Sequence, residues 1–217
     1  MPSSRTTRIS SRKAPKQARS NELVAAVLDA AVQVLKAEGA QRFTTARVAE
    51  RAGVSVGSLY QYFPNKASIL FRLQSDEWRQ TSDLLRGILQ DTTLPPLDRV
   101  IALVHAFIRS ECEEAEIRMA LNDAAPLYRD APEAAEVRAT SKRIYHAFMR
   151  ELLPDIDDET RSLAADLIKT TLGEVGSHFS ETPRTDAEID RYADALADML
   201  CAYLERLRAG GGPTIRP

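Results

Sequence analysis

Along most of the chain apolar residues recur three and four positions apart. Val24, Val27, Leu28, Ala31, Val34 and Leu35 stand at i, i+3, i+4, i+7, i+10 and i+11, a spacing that lays one apolar stripe along a helix. Gly39 follows where a C-terminal residue of positive φ would end that helix. After Phe43 the pattern predicts two short helices, about 45 to 52 and 55 to 62, then Pro64 and a long helix from about 65 to 90 burying Ile69, Leu70, Leu73, Leu84, Ile88 and Leu89. Further helices are expected at about 98 to 114, 117 to 129, 133 to 153, 158 to 180 and 186 to 208. Pro64, Pro95, Pro96, Pro126, Pro132, Pro154 and Pro183 mark the breaks, as residues that cannot continue a helix should. No stretch sustains the period-two alternation of a strand, so the fold class is all-α, with about nine helices. Gly210, Gly211, Gly212 and Pro213 end regular structure, and 210–217 is expected to be a disordered tail.

The run from Phe43 to Lys66 is the most informative. Helices of about two turns are unstable alone, so their few apolar residues must share one centre: Val48 and Ala49 on the first, Val54 at the corner, Leu59 on the second. Gly53 permits the positive φ of a tight turn, and Ser55 can cap the second helix. That is a helix-turn-helix pattern. The outward residues of its second helix, Val56, Gly57, Ser58, Tyr60 and Gln61, are not the charged set of an inert surface. A glycine in an early turn lets a backbone approach closely, a valine can meet a thymine methyl, and Ser58 or Tyr60 can hydrogen-bond base edges or phosphate. The other reading is a helical corner with Gly57 at a crowded contact. Lys66, at the start of the long helix, adds its charge to the positive helix terminus, a place that favours phosphate.

Charge changes this picture. The 217 residues carry a formal charge of -2, which taken alone argues against a nucleic-acid partner. Resolved along the chain, the first 66 residues hold eleven basic and four acidic side chains, and the other 151 hold 18 and 27. Six of those basic residues, Arg5, Arg8, Arg12, Lys13, Lys16 and Arg19, lie in the first 20, which contain no acid. The basic end is where an anionic polymer would bind. Residues 1–20 are expected to form a disordered basic arm, which either follows the DNA backbone or enters a minor groove, or is only a solubilising or unprocessed tail. There is no secretory segment and no apolar run of about 18 residues, so a cytoplasmic protein without membrane contact is expected, with Cys112 and Cys201 as free, packed thiols.

The run from Thr44 to Lys66, preceded by the first helix, resembles the DNA-binding domain of TetR-family transcriptional regulators, most specifically in its Leu59-Tyr60-Gln61-Tyr62-Phe63-Pro64-Asn65-Lys66 ending. The resemblance implies a three-helix DNA-binding domain over 21–66, followed over 67–209 by a larger helical domain for ligand binding and dimerisation. It implies a homodimer on a near-palindromic double-stranded operator, with the third helix of each protomer in a major groove. By the same resemblance Thr45 is a phosphate contact, Ser55, Val56, Gly57, Ser58 and Tyr60 form the major-groove surface, and Tyr62 and Lys66 hold the backbone. Ala46 departs from members with a longer DNA-contacting side chain there; Arg47 either compensates or lies on a solvated face.

The acidic remainder would repel DNA and should hold the dimer interface and effector site. The widest stripes are on the last two helices: Leu163, Leu167, Ile168, Thr171, Leu172, Val175 and Phe179, then Ile189, Ala193, Leu196, Leu200, Leu204 and Leu207. They could finish a monomer core, or, as the resemblance implies, build a four-helix interface between two copies. Polar residues inside apolar stripes point to a pocket. Glu111 extends the face made by Val100, Ile101, Val104, Phe107 and Ile108, and Thr171 interrupts another. Trp78, Phe107, Met119, Tyr128, Tyr145 and Phe148 can supply an adaptable wall for a small, largely apolar effector. The motifs of helical metal sites are missing, as are a nucleophile beside a base and a phosphate-cradling glycine loop, so neither enzyme, metal nor cofactor is expected. The expected function is a ligand-responsive regulator, most simply a repressor. The alternatives are a protein-binding helical adaptor or an enzyme whose site is assembled only in space.

Overall fold

The computed structural model describes residues 18–128, 143 and 145–210. Every regular element among them is helical: α1 (Ala18–Arg42), α2 (Thr45–Arg51), α3 (Val56–Tyr62), α4 (Lys66–Gln90), α5 (Pro96–Glu113), α6 (Ala115–Ala124), a 3-10 turn (Ala125–Leu127), α7 (described over 145–152), α8 (Asp158–Ser180) and α9 (Asp186–Arg208). The all-α expectation holds. The first helix begins at Ala18, so the last residues of the expected arm are helical; 1–17 and 211–217 lie outside the described residues. Likewise the helix expected at 133 to 153 is described only from 143. The segment expected to be helical to 129 stops at Ala124, because Pro126 cannot continue it and the chain tightens into a 3-10 turn.

These residues form two compact units. The first comprises those through Arg79 together with Glu116 to Tyr128; the second comprises Gln80–Ala115 and the residues from 143 onward. The division therefore falls inside α4, not at Lys66 where the charge changes sign. Its physical reason is that Ile69, Leu70 and Leu73 of α4, with Leu121, Ala124 and Tyr128 after it, complete the core begun by Val27, Ala31, Leu35, Phe43, Val48, Leu59 and Phe63. A buried polar group binds the same helices. The single Tyr128 Oη proton is shared between the Leu121 carbonyl at 3.0 Å and Gln74 Oε1 at 3.2 Å. Gln74 in turn donates to Glu77 at 2.8 Å, and Arg118 reaches Glu77 at 2.9 Å.

In the second unit α5 packs on α8 and α9. Gly176 of α8 lets α5 come close: a Cβ there would stand 2.9 Å from Phe107 Cε1 and 3.0 Å from Glu111 Cγ. Three expectations need correction. Leu84 and Ile101 are exposed, and Leu85 takes the buried place given to Leu84. The α9 stripe from Ile189 to Leu207 is entirely inside the protomer's own core, as are Ile168, Leu172 and Phe179 of α8. It is therefore not the interface stripe, because α5 already covers it. The large apolar side chains of these two helices left to solvent are Leu163, at 61% exposure, Leu167 and Met199. Cys112 and Cys201 are free and partly buried, and burial raises both thiol pKa values.

Candidate nucleic-acid interface

Each turn of the helix-turn-helix is fixed by a local device. Gly39, at φ 73°, breaks α1 and swings residues 40–42 off its axis. Thr44 caps α2 by accepting the Arg47 N–H at 3.3 Å. Gly53 takes φ 66° at the corner, where Val54 N–H reaches the Ala49 carbonyl at 3.0 Å. Ser55 then caps α3, accepting the Ser58 N–H at 3.0 Å and sharing a hydroxyl contact of 2.8 Å with it. Asn65 and Ser68 cap the start of α4 reciprocally: Asn65 Oδ1 accepts the Ser68 N–H at 2.9 Å, and Ser68 Oγ donates to the Asn65 carbonyl at 2.7 Å. Leu59 is buried, as its apolar character predicted, and so is Phe63.

With the core on one side, the other side of α3 is left open. Ser55, Val56, Gly57 and Tyr60 are exposed, and Thr45, Ser58 and Lys66 are partly so. Val56 and Tyr60 each keep 40% of their surface in solvent, which is much for an apolar and an aromatic residue on so short a helix. Tyr62 differs: at 7% exposure it belongs to the core cluster, and packing claims most of a side chain expected to hold the DNA backbone. Thr45 Oγ1 and Tyr60 Oη lie 3.1 Å apart, joining two expected contacts across α2 and α3. Arg47 does not replace the missing long side chain at Ala46. Its guanidinium pairs with Glu38 and donates to the Arg42 carbonyl at 3.0 Å.

Gly57 separates the two readings of this corner. Its φ lies outside the positive range, and a Cβ built on it would meet only Ser55 Oγ, at 3.8 Å. Neither backbone nor packing requires glycine there, which removes the crowded-contact explanation.

The expected effector residues fall into both units. Trp78, Met119 and Tyr128 belong to the first, where Met119 is exposed on α6 and Tyr128 is buried against Phe71 with ring centroids 5.7 Å apart. Phe107, Glu111, Tyr145, Phe148 and Thr171 belong to the second. There Phe107 and Glu111 meet beside Gly176, while Tyr145 and Phe148 are core residues and burial raises the Tyr145 hydroxyl pKa. Sequence reasoning passed over the Gln74, Glu77 and Arg118 group and also Arg99, a buried guanidinium that donates to the Leu89 carbonyl at 2.7 Å and pairs with Glu151.

A short, capped helix pair with an uncharged recognition face, in an all-helical chain whose basic end contains it, defines a helix-turn-helix DNA-binding protein. The family model for bacterial regulatory proteins of the tetR family matches residues 27–73, and that for the tetracyclin repressor-like C-terminal domain matches 95–207. The chain belongs to the TetR family of transcriptional regulators. Among curated proteins it is 29% identical over 126 residues to the HTH-type transcriptional repressor KstR of Rhodococcus jostii, covering 58% of each chain. It is 37% identical over 84 residues to the nucleoid occlusion factor SlmA of Vibrio campbellii, covering 37% of this chain and 43% of that one. It thus spans less than two thirds of the length of either relative. A FadR regulator from Bacillus subtilis, solved in complex with stearoyl-CoA, shares the fold with a TM-score of 0.65 at 16% identity, covering 82% of this chain and 97% of that one. No helix among the described residues is long and apolar enough to cross a membrane.

Proposed function

We propose that the protein is a repressor that binds a near-palindromic operator as a homodimer and leaves it when a small, largely apolar molecule binds. The observation that carries the DNA-binding face is Gly57, which nothing inside the protomer requires and which a closely approaching duplex would. Thr45, Ser55, Val56, Ser58, Tyr60 and Lys66 surround it, with Tyr62 contributing through whatever edge packing leaves. The first 17 residues add cations for the DNA backbone. The two recognition helices of a dimer then lie about 34 Å apart, one turn of DNA. Leu163, Leu167 and Met199 are the side chains available for pairing α8 and α9 with a second copy. Repression is supported by the KstR relative and an apolar effector by the stearoyl-CoA bound to the FadR neighbour; Phe107 and Glu111, which meet beside Gly176, with Tyr145, Phe148 and Thr171 of the same unit, are the residues proposed to take it. The effector favours the released state by its difference in affinity, acting through α4, which begins at Lys66 and continues into the second unit. The protein acts in the cytoplasm by binding and not by catalysis.

Gel retardation with the region upstream of its own gene tests this. Gly57→Leu adds a strong helix former where there is room for it, so it should leave the thermal transition unchanged and abolish the shift. A Gly57→Leu protein that binds as tightly as wild type, or operator affinity that survives Tyr60→Ala and Lys66→Ala together, would refute the contact surface.

A further inference from the structure

We infer that Arg42 is a phosphate contact of the DNA complex, acting with Lys66 in one cleft that both line; this rests on the proposed operator binding. Several cations of the first unit are already engaged. Arg47 is held by Glu38, Lys36 by Glu116 at 3.1 Å, Arg72 by Asp76 at 2.7 Å and Arg118 by Glu77. Arg42 and Lys66 make no ion pair among the described residues, and both line a cleft of about 550 Å³ whose rim includes Gln41 and Asp123. The break at Gly39 turns residues 40–42 out of α1, and the Arg47 bond to the Arg42 carbonyl pins that backbone. The Arg42 side chain is left exposed, three residues before Thr45. Glu38, the other acid of the cleft, is neutralised by Arg47. What remains is two cations lining one cleft. A guanidinium there offers the planar fork that suits phosphate oxygens. Asp123, on α6, is the only lining charge that opposes them without an ion pair among the described residues.

Each neutralised phosphate contributes about 0.9 to the slope of log affinity against log salt. The full chain would be titrated by fluorescence anisotropy onto a labelled duplex from the region upstream of its own gene, in salt from about 50 to 200 mM. Arg42→Gln and Lys66→Gln should each reduce the slope by about 0.9, Arg42→Lys should restore it, and Arg72→Gln, at a paired cation outside the cleft, should keep the wild-type slope. Asp123→Asn should tighten binding at low salt, an effect that misfolding cannot imitate. An Arg42→Gln protein with the wild-type slope, beside a Lys66→Gln protein that has lost its share, overturns the inference and leaves operator binding standing. So does a slope lost in Arg72→Gln instead. If the wild-type chain does not bind the duplex at all, it is the proposed function that fails, and the inference with it.

Discussion

Arg99 and Glu151 give the sharpest quantitative expectation for the second unit. The Arg99 side chain is 2% exposed, whereas Glu151 is 48% exposed. The guanidinium donates to Glu151 Oε2 at 3.2 Å as well as to the Leu89 carbonyl, lies 5.2 Å over the Phe148 ring and leaves its Nε without a partner. Glu151→Ala would leave a buried cation with one carbonyl and a ring face. Breaking a fully buried pair costs about 3–5 kcal/mol, and screening at the half-exposed carboxylate reduces that to about 2 kcal/mol. Arg99→Met removes the buried charge and fills much of the same volume. It leaves the Leu89 carbonyl, one of the last four of α4, without its donor, at about 1 kcal/mol. Glu151→Ala should therefore be the more damaging, lowering the melting temperature by about 4–8 °C in thermal unfolding followed by circular dichroism. The double variant should be no worse than Arg99→Met. The hydrogen bond from Arg99 lowers the Glu151 pKa below 4.5, so the stabilisation is complete above the unfolded carboxylate's pKa and is lost as pH falls through the lower folded value. The gap between wild type and Glu151→Ala should persist from neutral pH to about 5.5 and close in more acid buffer. Additive effects in the double variant, or a gap independent of pH, would refute the assignment.

Two glycines on helices should respond oppositely to alanine: Gly87 has nothing within 4 Å, so Gly87→Ala should stabilise by up to about 1 kcal/mol, whereas Gly176→Ala meets the Phe107 ring and should lose about 1 kcal/mol in denaturant titration once overpacking is set against propensity. Thr185 and Glu188 form a capping box at the start of α9, with the Thr185 N–H reaching Glu188 at 2.8 Å and holding its carboxyl pKa below the ordinary value. Thr185→Ala should cost about 1 kcal/mol, read from the same titration. Thr45→Val and Tyr60→Phe share one hydrogen bond, so their effects on operator affinity should be markedly less than additive in a double-mutant cycle; strict additivity would mean that the pair does not act as a unit.

Local devices were the legible part of this fold. The Gly53 turn, the Ser55 cap and the burial of Val48, Ala49 and Leu59 each depend on residues within a few positions of one another, and the structure has them all. What periodicity missed is where one helix changes partners. A stripe drawn through α4 from Leu73 reaches Leu84 eleven residues on, but the helix passes from one core to the other, and the second core takes Leu85 and Leu89. Arg99 was missed for a related reason. It stands four residues before Leu103 on the buried face of α5, where its position determines its burial and its charge is met by Glu151, 52 residues later. The Thr45 and Tyr60 contact spans fifteen residues and two helices, so no local pattern could announce it.

The same distinction explains why the charge boundary and the packing boundary differ. Net charge changes sign near Lys66, where in the proposed function a surface for a polyanion gives way to one for a ligand or a second copy. Packing follows apolar faces instead, and two very short helices with one longer partner cannot enclose a core. Ile69, Leu70 and Leu73 of α4 supply part of what is missing, and Leu121, Ala124 and Tyr128 supply more after the chain has passed through α5. The chain therefore crosses between units within α4 and again at Ala115–Glu116. Acidic residues from beyond the charge boundary enter the DNA-binding unit as a consequence: Glu77 inside its polar network, Glu116 against Lys36, and Asp123 on the cleft with Arg42 and Lys66. Glu116 and Asp123 stand on the same helix, α6, so a shift of that helix would move these two carboxylates together relative to Lys36, Arg42 and Lys66, whereas Glu77 is fixed to α4.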